Sequence, residues 1–280
     1  MTGTPTAATR LVALLGDPVQ HSLSPIFQNA AFAAAGVDAV YLALRCGASD
    51  VPGLLRGIAR AGGAGNVTVP HKQIAAATVE RRTPAVERTD ACNTFWLEDG
   101  TVWGDNTDVA GFAGAVETLL GVPPTDARVL LLGAGGAARA ALAALTDASA
   151  AEVVIVNRSR ERVEDLTRRF AGGTTRIEAA GGLGELTGRS FDLVVNATSL
   201  GLRPDDPLPL DPALPAPRVS HALDLVYSPR GTRWVNVLNA AGIPAADGLE
   251  MLIRQGAAAF ERWWQRPAPL SAMRAALPAR

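Results

Sequence analysis

The sequence predicts an α/β protein with two domains, each built on a parallel sheet. Short apolar runs alternate with helical segments through most of the chain, which is typical of βαβ units. Near the middle, the apolar run Val129–Leu132 leads directly into a glycine turn and a helix. The length of 280 residues is sufficient for two domains, each with its own core.

The composition argues against several classes of function, including nucleic-acid binding, membrane association and metal binding. The net charge of −1 gives the surface nothing that attracts nucleic acid or anionic lipid. Two distant cysteines, and histidines without metal-ligand spacing, argue against a disulfide scaffold, a redox dithiol and a metal site. The first ten residues form a loose tail without the apolar core of a signal peptide, and no apolar run is long enough to span a membrane. We therefore expect a cytoplasmic protein with a small-molecule ligand, no metal, and no nucleic-acid or membrane partner.

The first predicted strand, Leu11–Gly16, ends in a loop that carries two hydroxyls, Ser22 and Ser24. Ser24 precedes Pro25, which predicts Ser24 as the N-cap of a helix with proline at its first position. Ser22 has no such predicted structural role. Hydroxyls and amides at the start of a helix suit a substrate carboxylate.

The pattern repeats with a strand at Ala39–Leu44, a helix at about Ser49–Arg60, a strand at Asn66–Val69 and a helix after Pro70. Lys72 then lies in the first turn of a helix at the carboxyl end of a strand, where open α/β sheets bind ligands. The helix macrodipole disfavours a cation at that position. We therefore interpret Lys72 as a functional residue rather than a solvated surface lysine.

The segments Cys92–Leu97 and Thr101–Trp103 flank an Asp-Gly turn, which predicts a hairpin that closes the first domain. The sequence GDNTD follows and leads into a predicted helix, Val109–Leu120. On position alone, Thr107 or Asp108 is the N-cap of that helix.

The segment Arg128–Leu145 predicts a nucleotide-binding element. Gly133, Gly135 and Ala138 fit the pattern G-x-G-x-x-G/A. In that pattern the first glycine makes the turn, the second lets the backbone approach a pyrophosphate, and the third small residue lets helix pack on strand. The free amides at the helix start then face the phosphates.

The next predicted strand, Glu152–Val156, indicates which cofactor binds. It is followed by Asn157 and Arg158 rather than by an acidic residue that would accept a hydrogen bond from a ribose 2′-hydroxyl. Arg158, with Arg162 close behind, can clamp a 2′-phosphate, because guanidinium pairs with phosphate through a bidentate fork. The pattern therefore favours NADP over NAD. Arg160 is better explained as part of the solvated face of the following helix.

Two more predicted strands, Phe191–Asn196 and Leu223–Val226, complete a doubly wound sheet. A proline-rich loop, Pro204–Pro217, lies between them. The segment Asp247–Trp264 predicts a helix with one apolar face. Within it, Gln255 is the one uncharged side chain that can both donate and accept hydrogen bonds.

Nine short blocks carry a resemblance to a known family. They are SLSP (Ser22–Pro25), NVTVPHK (Asn66–Lys72), CNT (Cys92–Thr94), GDNTD (Gly104–Asp108), GAGGA (Gly133–Ala137), NRSRER (Asn157–Arg162), NATS (Asn196–Ser199), DLVY (Asp224–Tyr227) and the DGLEML run that ends at Gln255. In these blocks and their order, nearly the whole chain resembles the shikimate dehydrogenases. These enzymes reduce 3-dehydroshikimate reversibly with NADPH in aromatic amino-acid (chorismate) biosynthesis.

The resemblance implies roles for individual residues. Lys72 and Asp108 are implied to be the catalytic pair. The implied substrate-binding residues are Ser22, Ser24 and Tyr227 for the carboxylate, and Thr68, Asn93, Asp108, Lys72 and Gln255 for the ring hydroxyls. The implied NADP-binding residues are Gly133, Ala134, Gly135, Gly136, Ala137, Asn157, Arg158, Arg162, Thr198, Leu225 and Gly248.

The resemblance also implies a discontinuous substrate-binding domain, because the final helix returns to the first domain. That domain comprises residues 1–108 and 245–280, and a Rossmann-type NADP-binding domain comprises residues 109–244. A protein of this kind is expected to be a monomer or a homodimer.

Three departures from the family pattern leave sister activities open. Gln28, Asp90 and Val109 stand where His, Gly and Gly are common. A quinate/shikimate or aminoshikimate dehydrogenase therefore remains an alternative, although Ser24 argues against a quinate enzyme. A non-catalytic metabolite sensor is the alternative from another class, and the intact Lys72 argues against it. A methylene-tetrahydrofolate-type dehydrogenase shares the two-domain layout but does not explain the paired serines.

Overall fold

The computed structural model describes residues 4–203, 205–212, 217–228 and 230–278, which form two compact units. The first unit comprises the residues up to Gly111 together with those from Leu252 onward, and the second comprises Phe112–Met251. Parts of the predicted amino-terminal tail and of the predicted loop Pro204–Pro217 lie outside the described residues.

The first unit contains a six-stranded sheet and the helices that connect its strands. The strands are β1 (Arg10–Gly16), β2 (Ala39–Arg45), β3 (Ala64–Val67), β4 (Arg81–Arg82), β5 (Thr94–Glu98) and β6 (Thr101–Asp105). The helices are α1 (Ser24–Ala35), α2 (Val51–Arg60), α3 (Lys72–Thr78), α4 (Pro84–Thr89) and α5 (Asp108–Leu120), the last of which continues into the second unit.

The strands of this sheet follow the spatial order β2-β1-β3-β5-β6-β4. β1 is parallel to β2 and β3, whereas β5 is antiparallel to β3 and β6. The first sheet is therefore mixed rather than parallel as predicted, because the hairpin reverses the direction of the chain. The predicted hairpin between β5 and β6 is confirmed. Asp99 (φ 49°) and Gly100 (φ 74°) both have a left-handed backbone, as a two-residue type I′ turn requires.

Strand β3 ends at Val67, two residues before the predicted end. The chain turns at Thr68, whose carbonyl accepts a hydrogen bond from His71 N at 2.9 Å, and Pro70 has no amide to donate to a neighbouring strand. The short elements β4 and α4 were not predicted. Two exposed arginines and a six-residue helix contain too few residues to show an apolar period.

The second unit contains a six-stranded sheet with every neighbouring pair parallel. Its strands are β7 (Arg128–Leu132), β8 (Glu152–Val156), β9 (Arg176–Ala180), β10 (Ser190–Asn196), β11 (Arg218–Asp224) and β12 (Ala245–Ala246), in the spatial order β9-β8-β7-β10-β11-β12. The helices are α6 (Gly136–Asp147), α7 (Arg160–Arg169) and α8 (Arg233–Ala240). This is the doubly wound order of a Rossmann fold, so the predicted fold class is confirmed.

The second sheet differs from the prediction at three strands. β9 and β12 were missed, because a strand half exposed at a sheet edge and a strand of two residues give little apolar signal. β11 runs from Arg218 to Asp224 rather than from Leu223 to Val226. The Asp224 carboxylate accepts a hydrogen bond from Val226 N at 3.1 Å, and this local bond turns the chain out of the sheet.

The described chain closes with helices α9 (Leu249–Trp264) and α10 (Leu270–Ala275). The carbonyl of Gly256, in α9, accepts a hydrogen bond from Gln28 Nε2 at 2.9 Å. A Cβ on Gly256 would overlap the ring of Phe27, so the glycine lets α9 approach α1 closely. Among the described residues, no helix combines the length and the apolar character needed to cross a membrane.

Candidate active site

The first unit holds an ion pair between two residues that begin helices. Lys72 is the first residue of α3 and Asp108 is the first residue of α5. Lys72 Nζ lies 2.5 Å from Asp108 Oδ2, and their side chains are only 17% and 8% exposed. The start of α5 favours the carboxylate, whereas the start of α3 disfavours the ammonium. The ammonium therefore depends on Asp108 for its counter-charge.

Two amide side chains complete this cluster. Asn93 Nδ2 donates to Asp108 Oδ1 at 2.8 Å and lies 3.4 Å from Gln255 Oε1. The structure thus brings together four of the predicted site residues, from α3, α5, α9 and the position just before β5. The cluster combines a proton donor, a carboxylate that can orient it, and amides that can recognise hydroxyl groups.

Buried polar residues next to the cluster hold it in place. Asn93 Oδ1 accepts hydrogen bonds from Thr107 N at 2.8 Å and Thr107 Oγ1 at 3.1 Å. Asn106 Oδ1 accepts from Asp108 N at 3.3 Å, while Asn106 Nδ2 donates to Thr89 Oγ1 at 2.9 Å. Sequence reasoning missed Asn106 altogether. The only signal was its place in GDNTD, since its partner Thr89 is known only from the fold.

The structure corrects the prediction for Ser22 and Ser24. The N-cap position of α1 is Leu23, Ser24 is the first helical residue, and no side chain caps the helix. Ser22 has the structural role that was not expected, because its Oγ accepts a hydrogen bond from Ser24 N at 3.2 Å. This local hydrogen bond forms a short turn at the start of the helix, in place of the predicted cap by Ser24.

A chain of polar side chains links Ser24 to the cluster. Burial raises the pKa of Tyr41, and a hydrogen bond from Ser24 partly opposes that shift. The Tyr41 hydroxyl donates to Asn66 Oδ1 at 2.8 Å, and Asn66 Nδ2 donates to the carbonyl of Asn93 at 3.0 Å. Thr68 follows β3 and is half-buried. A Cβ on Gly16 would overlap the Thr68 methyl, so that glycine allows the loop to pack tightly.

The glycine turn of the second unit lies between β7 and α6. Gly133 has φ 111°, and a Cβ there would lie 2.7 Å from the carbonyl oxygen of Ala197, so glycine is required. Gly135 has φ −90° and occupies the N-cap position of α6, and nothing lies within 4 Å of the place its Cβ would take. Ala138 is fully buried. The first amides of α6 therefore adjoin open space that suits a phosphate group.

The residues after β8 lie at the surface. Arg158 and Arg162 are exposed, and Asn157 Nδ2 donates to the carbonyl of Ser159 at 3.0 Å. Arg160 is 92% exposed and pairs with Glu164 one helical turn later, as expected for a solvated helix face. Arg158 is therefore free of the packing that would prevent its guanidinium from meeting a phosphate.

A buried network connects the ends of β10 and β11. Asn196 Oδ1 accepts from Thr198 N at 3.1 Å and Thr198 Oγ1 at 2.6 Å, and Asn196 Nδ2 donates to Asp224 Oδ1 at 2.8 Å. Thr232 Oγ1 donates to Asp224 Oδ2 at 2.7 Å. Burial raises the pKa of Asp224 to about 6, and these hydrogen bonds limit the increase. Asn196 thus shapes the turn that carries Thr198, a role sequence reasoning did not assign.

The remaining predicted cofactor residues lie beside this network. Leu225 N donates to the carbonyl of Asn196 at 2.9 Å, and Gly248 N donates to the carbonyl of Val226 at 3.1 Å. A Cβ on Gly248 would overlap the carbonyl oxygen of Leu225. The glycine therefore allows the segment before α9 to pass directly over the end of β11.

Tyr227 lines a cavity of about 340 Å³ within the second unit, together with polar residues that include Thr232 and Arg233. The two serines with which it was grouped lie in the first unit. Their joint contact with a substrate carboxylate stays a prediction.

Neither cysteine forms a disulfide, and both are buried. Burial raises the pKa of the Cys92 thiol to about 12, which keeps it protonated. Within the described ranges, no three His, Cys, Asp or Glu side chains are grouped as a metal site would require.

Three family models match the chain along its length. They describe the shikimate dehydrogenase substrate binding domain (residues 14–95), shikimate / quinate 5-dehydrogenase (118–201) and the shikimate 5′-dehydrogenase C-terminal domain (248–277). Together they match parts of both units.

Individual proteins agree with these models. The shikimate dehydrogenase (NADP(+)) of Moorella thermoacetica is 42% identical over 275 residues, which cover 95% of this chain and 92% of that protein. The crystal structure of shikimate dehydrogenase from Aquifex aeolicus superposes with a TM-score of 0.87 at 31% identity, covering 97% and 98% of the two chains. Shikimate 5-dehydrogenase from Thermus thermophilus, in complex with NADP(H) and shikimate, has a TM-score of 0.84 at 36% identity, with coverage of 96% and 100%.

Proposed function

Since this chain belongs to the shikimate dehydrogenase family, we propose that it reduces 3-dehydroshikimate to shikimate with NADPH, and catalyses the reverse oxidation with NADP⁺. The observation that carries the proposal is the poorly exposed ion pair of Lys72 and Asp108, with the amides of Asn93 and Gln255 beside it. A metabolite sensor has no need of a proton donor held in this way.

The choice of lysine is itself an argument for proton transfer. Lysine and arginine together number 26 in the sequence, and Lys72 is the only lysine among them. Arginine stays protonated at every pH that a protein survives, whereas a lysine amine can give up and regain its proton. A chain that has arginine at all its other Lys/Arg positions retains lysine where that property is needed.

The proposed reaction requires a proton at the oxygen that becomes the hydroxyl group. Bound NADPH supplies the hydride that reaches the ketone carbon. The Lys72 ammonium polarises the carbonyl and donates the proton, and in the oxidative direction the neutral amine takes it back. Asp108 orients the ammonium and accepts a hydrogen bond from a neighbouring ring hydroxyl.

We assign substrate binding to residues 1–108 and 245–280. Thr68, Asn93 and Gln255 recognise ring hydroxyls in this proposal. Ser22, Ser24 and Tyr227 hold the carboxylate through uncharged hydrogen-bond donors.

We assign NADP binding to residues 109–244, with Gly248 just beyond. The glycine at position 133 makes the turn, and the open space at Gly135 fits a pyrophosphate on the amides of α6. Arg158 pairs with the 2′-phosphate, assisted by Arg162. The protein acts in the cytoplasm, as a monomer or homodimer.

Three substitutions at Lys72 test the proposal. Lys72→Met removes both charge and proton, whereas Lys72→Arg keeps a cation beside Asp108 that cannot be deprotonated. We expect both variants to lower kcat by about a hundred- to ten-thousand-fold, with the KM for shikimate little changed in Lys72→Arg. Lys72→Ala should behave like the methionine variant.

Steady-state rates with shikimate, quinate, NADP⁺ and NAD⁺ provide the measurement. An arginine variant within threefold of wild type would exclude proton transfer by Lys72. A wild-type protein that binds NADPH and 3-dehydroshikimate without oxidising the cofactor would support the sensor instead. Faster turnover of quinate than of shikimate would support the sister activity.

A further inference from the structure

We propose that the ion pair between Arg262 and Asp105 positions Gln255 for its contact with the substrate. This inference rests on the proposed function, in which Gln255 recognises a ring hydroxyl. Arg262 and Asp105 are positioning residues, because neither belongs to the cluster around Lys72.

Asp105 is a buried carboxylate at the end of β6, three residues before Asp108 at the start of α5. Its side chain is 6% exposed. Oδ1 accepts hydrogen bonds from Thr83 Oγ1 at 2.5 Å and from Asn106 N at 2.8 Å. Oδ2 accepts from Arg262 Nε at 2.8 Å. Arg262 thus neutralises a charge that would be costly to bury alone.

Helix α9 links this ion pair to Gln255. Arg262 follows Gln255 by seven residues, which is two helical turns, so both side chains lie on one face about 10 Å apart along the axis. Gln255 lies against Asn93, and Arg262 lies against Asp105. The two contact points are joined to each other, since Asn93 N donates to the carbonyl of Asp105 at 3.0 Å. One face of α9 therefore lies against two backbone segments that are hydrogen-bonded to each other, and the Arg262 end of that face is fixed by an ion pair.

The hydrogen bonds of the Gln255 side chain are not sufficient to fix its position in the cluster. Its Oε1 lies 3.4 Å from Asn93 Nδ2, which is a long hydrogen bond, and its Nε2 donates to the carbonyl of Leu252 within α9. The location of the Gln255 side chain consequently follows from where α9 is fixed. A small movement of the helix would take its amide out of reach of a ring hydroxyl.

Neutral hydrogen bonds keep α9 attached when the ion pair is removed. Gln28 Nε2 donates to the carbonyl of Gly256 at 2.9 Å, and Trp263 Nε1 donates to Thr94 Oγ1 at 3.0 Å. Arg262 is half exposed, so removing it leaves no cavity, and the Asp105 carboxylate keeps its hydrogen bonds from Thr83 Oγ1 and Asn106 N, which limit the cost of losing the counter-charge. We therefore expect Arg262→Ala to fold with α9 in place but less precisely held.

The first experiment combines Arg262→Ala with Gln255→Ala. Arg262→Ala should raise the KM for shikimate by about 2- to 10-fold, the range of one neutral hydrogen bond, with the KM for NADP⁺ unchanged. The double variant should be no worse than Gln255→Ala alone, because Arg262 acts only through Gln255. Arg262→Lys should recover part of the loss by keeping the charge.

The matched control is Arg266→Ala. Arg266 is exposed and lies beyond the end of α9, so its removal changes the net charge equally without touching Asp105. We expect wild-type KM values for this variant. Fully additive effects of Arg262→Ala and Gln255→Ala, or equal effects of Arg262→Ala and Arg266→Ala, would overturn the inference.

A second measurement needs no substrate. Amide hydrogen exchange in α9 around Gly256 should be faster in Arg262→Ala than in wild type, Gln255→Ala or Arg266→Ala. Unchanged exchange in Arg262→Ala would overturn the positioning role. Inactive wild-type protein would instead refute the proposed function, and the exchange data would still decide whether the ion pair fixes α9.

Discussion

Alanine substitutions at two glycines of the turn between β7 and α6 should have different effects. One should lower the stability of the fold, and the other should weaken cofactor binding. We expect Gly133→Ala to destabilise the fold. We expect Gly135→Ala to leave stability nearly unchanged and to weaken NADP binding. Both substitutions add one methyl group within the same short segment, so each is the control for the other.

The magnitudes follow from the backbone at each position. At Gly133, φ of 111° costs an alanine about 1 to 3 kcal/mol, and overlap with the Ala197 carbonyl, 2.7 Å from the added Cβ, costs about as much again. The total of roughly 2 to 6 kcal/mol is a large part of the stability of an ordinary domain. At Gly135, φ of −90° suits alanine and its Cβ meets no atom within 4 Å. Alanine is a poorer N-cap than glycine, but it also lowers the conformational entropy of the unfolded chain. These effects nearly cancel, so the free energy of unfolding changes by no more than about 1 kcal/mol.

Thermal unfolding without ligands and the KM for NADP⁺ at saturating shikimate are the measurements. Gly133→Ala should lower the unfolding midpoint by at least about 5 °C, since each kcal/mol shifts the midpoint of a domain this size by a few degrees. Gly135→Ala should unfold like wild type but raise the KM for NADP⁺ at least about tenfold, because the methyl occupies the space proposed for the pyrophosphate. A KM within twofold of wild type in Gly135→Ala would refute that placement of the cofactor, and a wild-type midpoint in Gly133→Ala would refute the steric argument.

Two further predictions concern the second unit. Arg158→Ala should raise the KM for NADPH far more than the KM for NADH, whereas Arg160→Ala should change neither; equal effects of Arg158→Ala on both cofactors would contradict a 2′-phosphate contact. The pKa of Asp224 is raised by burial to about 6, above its ordinary 3.8, so the folded protein holds a proton that the unfolded chain releases between these values. Stability from this group is therefore present below about pH 4 and is lost as the pH rises through 6, amounting to at most about 3 kcal/mol. Asp224→Asn should flatten the decline of the unfolding midpoint across that range, and parallel midpoint curves for the two proteins would contradict the raised pKa.

The sheet architecture could be predicted because apolar runs and glycine turns are local signals. Val129–Leu132, with Gly133 directly after it, marks the first strand of the Rossmann-type sheet without any knowledge of its neighbours. The hairpin at Asp99 and Gly100 is equally local, since two left-handed residues are needed at that turn. Lys72 could be predicted as a functional residue from a local signal too, because it is a cation in the first turn of its helix.

The hydrogen bonds that hold the candidate site residues in place could not be predicted, because they join residues far apart in the chain. Asn106 meets Thr89, and Asn196 meets Asp224, through buried hydrogen bonds that leave no periodic trace in the sequence. For Ser24, by contrast, a local signal was present but gave a wrong prediction. Its position before Pro25 met every local condition for an N-cap, yet a bond from its own amide to the neighbouring Ser22 started the helix one residue earlier than predicted.

The return of α9 to the first unit has a consequence for the order in which this protein folds during synthesis. The bonds from Gln28 to Gly256 and from Trp263 to Thr94 span 228 and 169 residues of chain. They cannot form until the ribosome has passed residue 263, whereas the second unit, Phe112–Met251, is a contiguous stretch of chain that is complete before then. The unit that is translated first is therefore completed last, and until then the surface that α9 covers, which includes Phe27, lacks its partner helix and is open to aggregation.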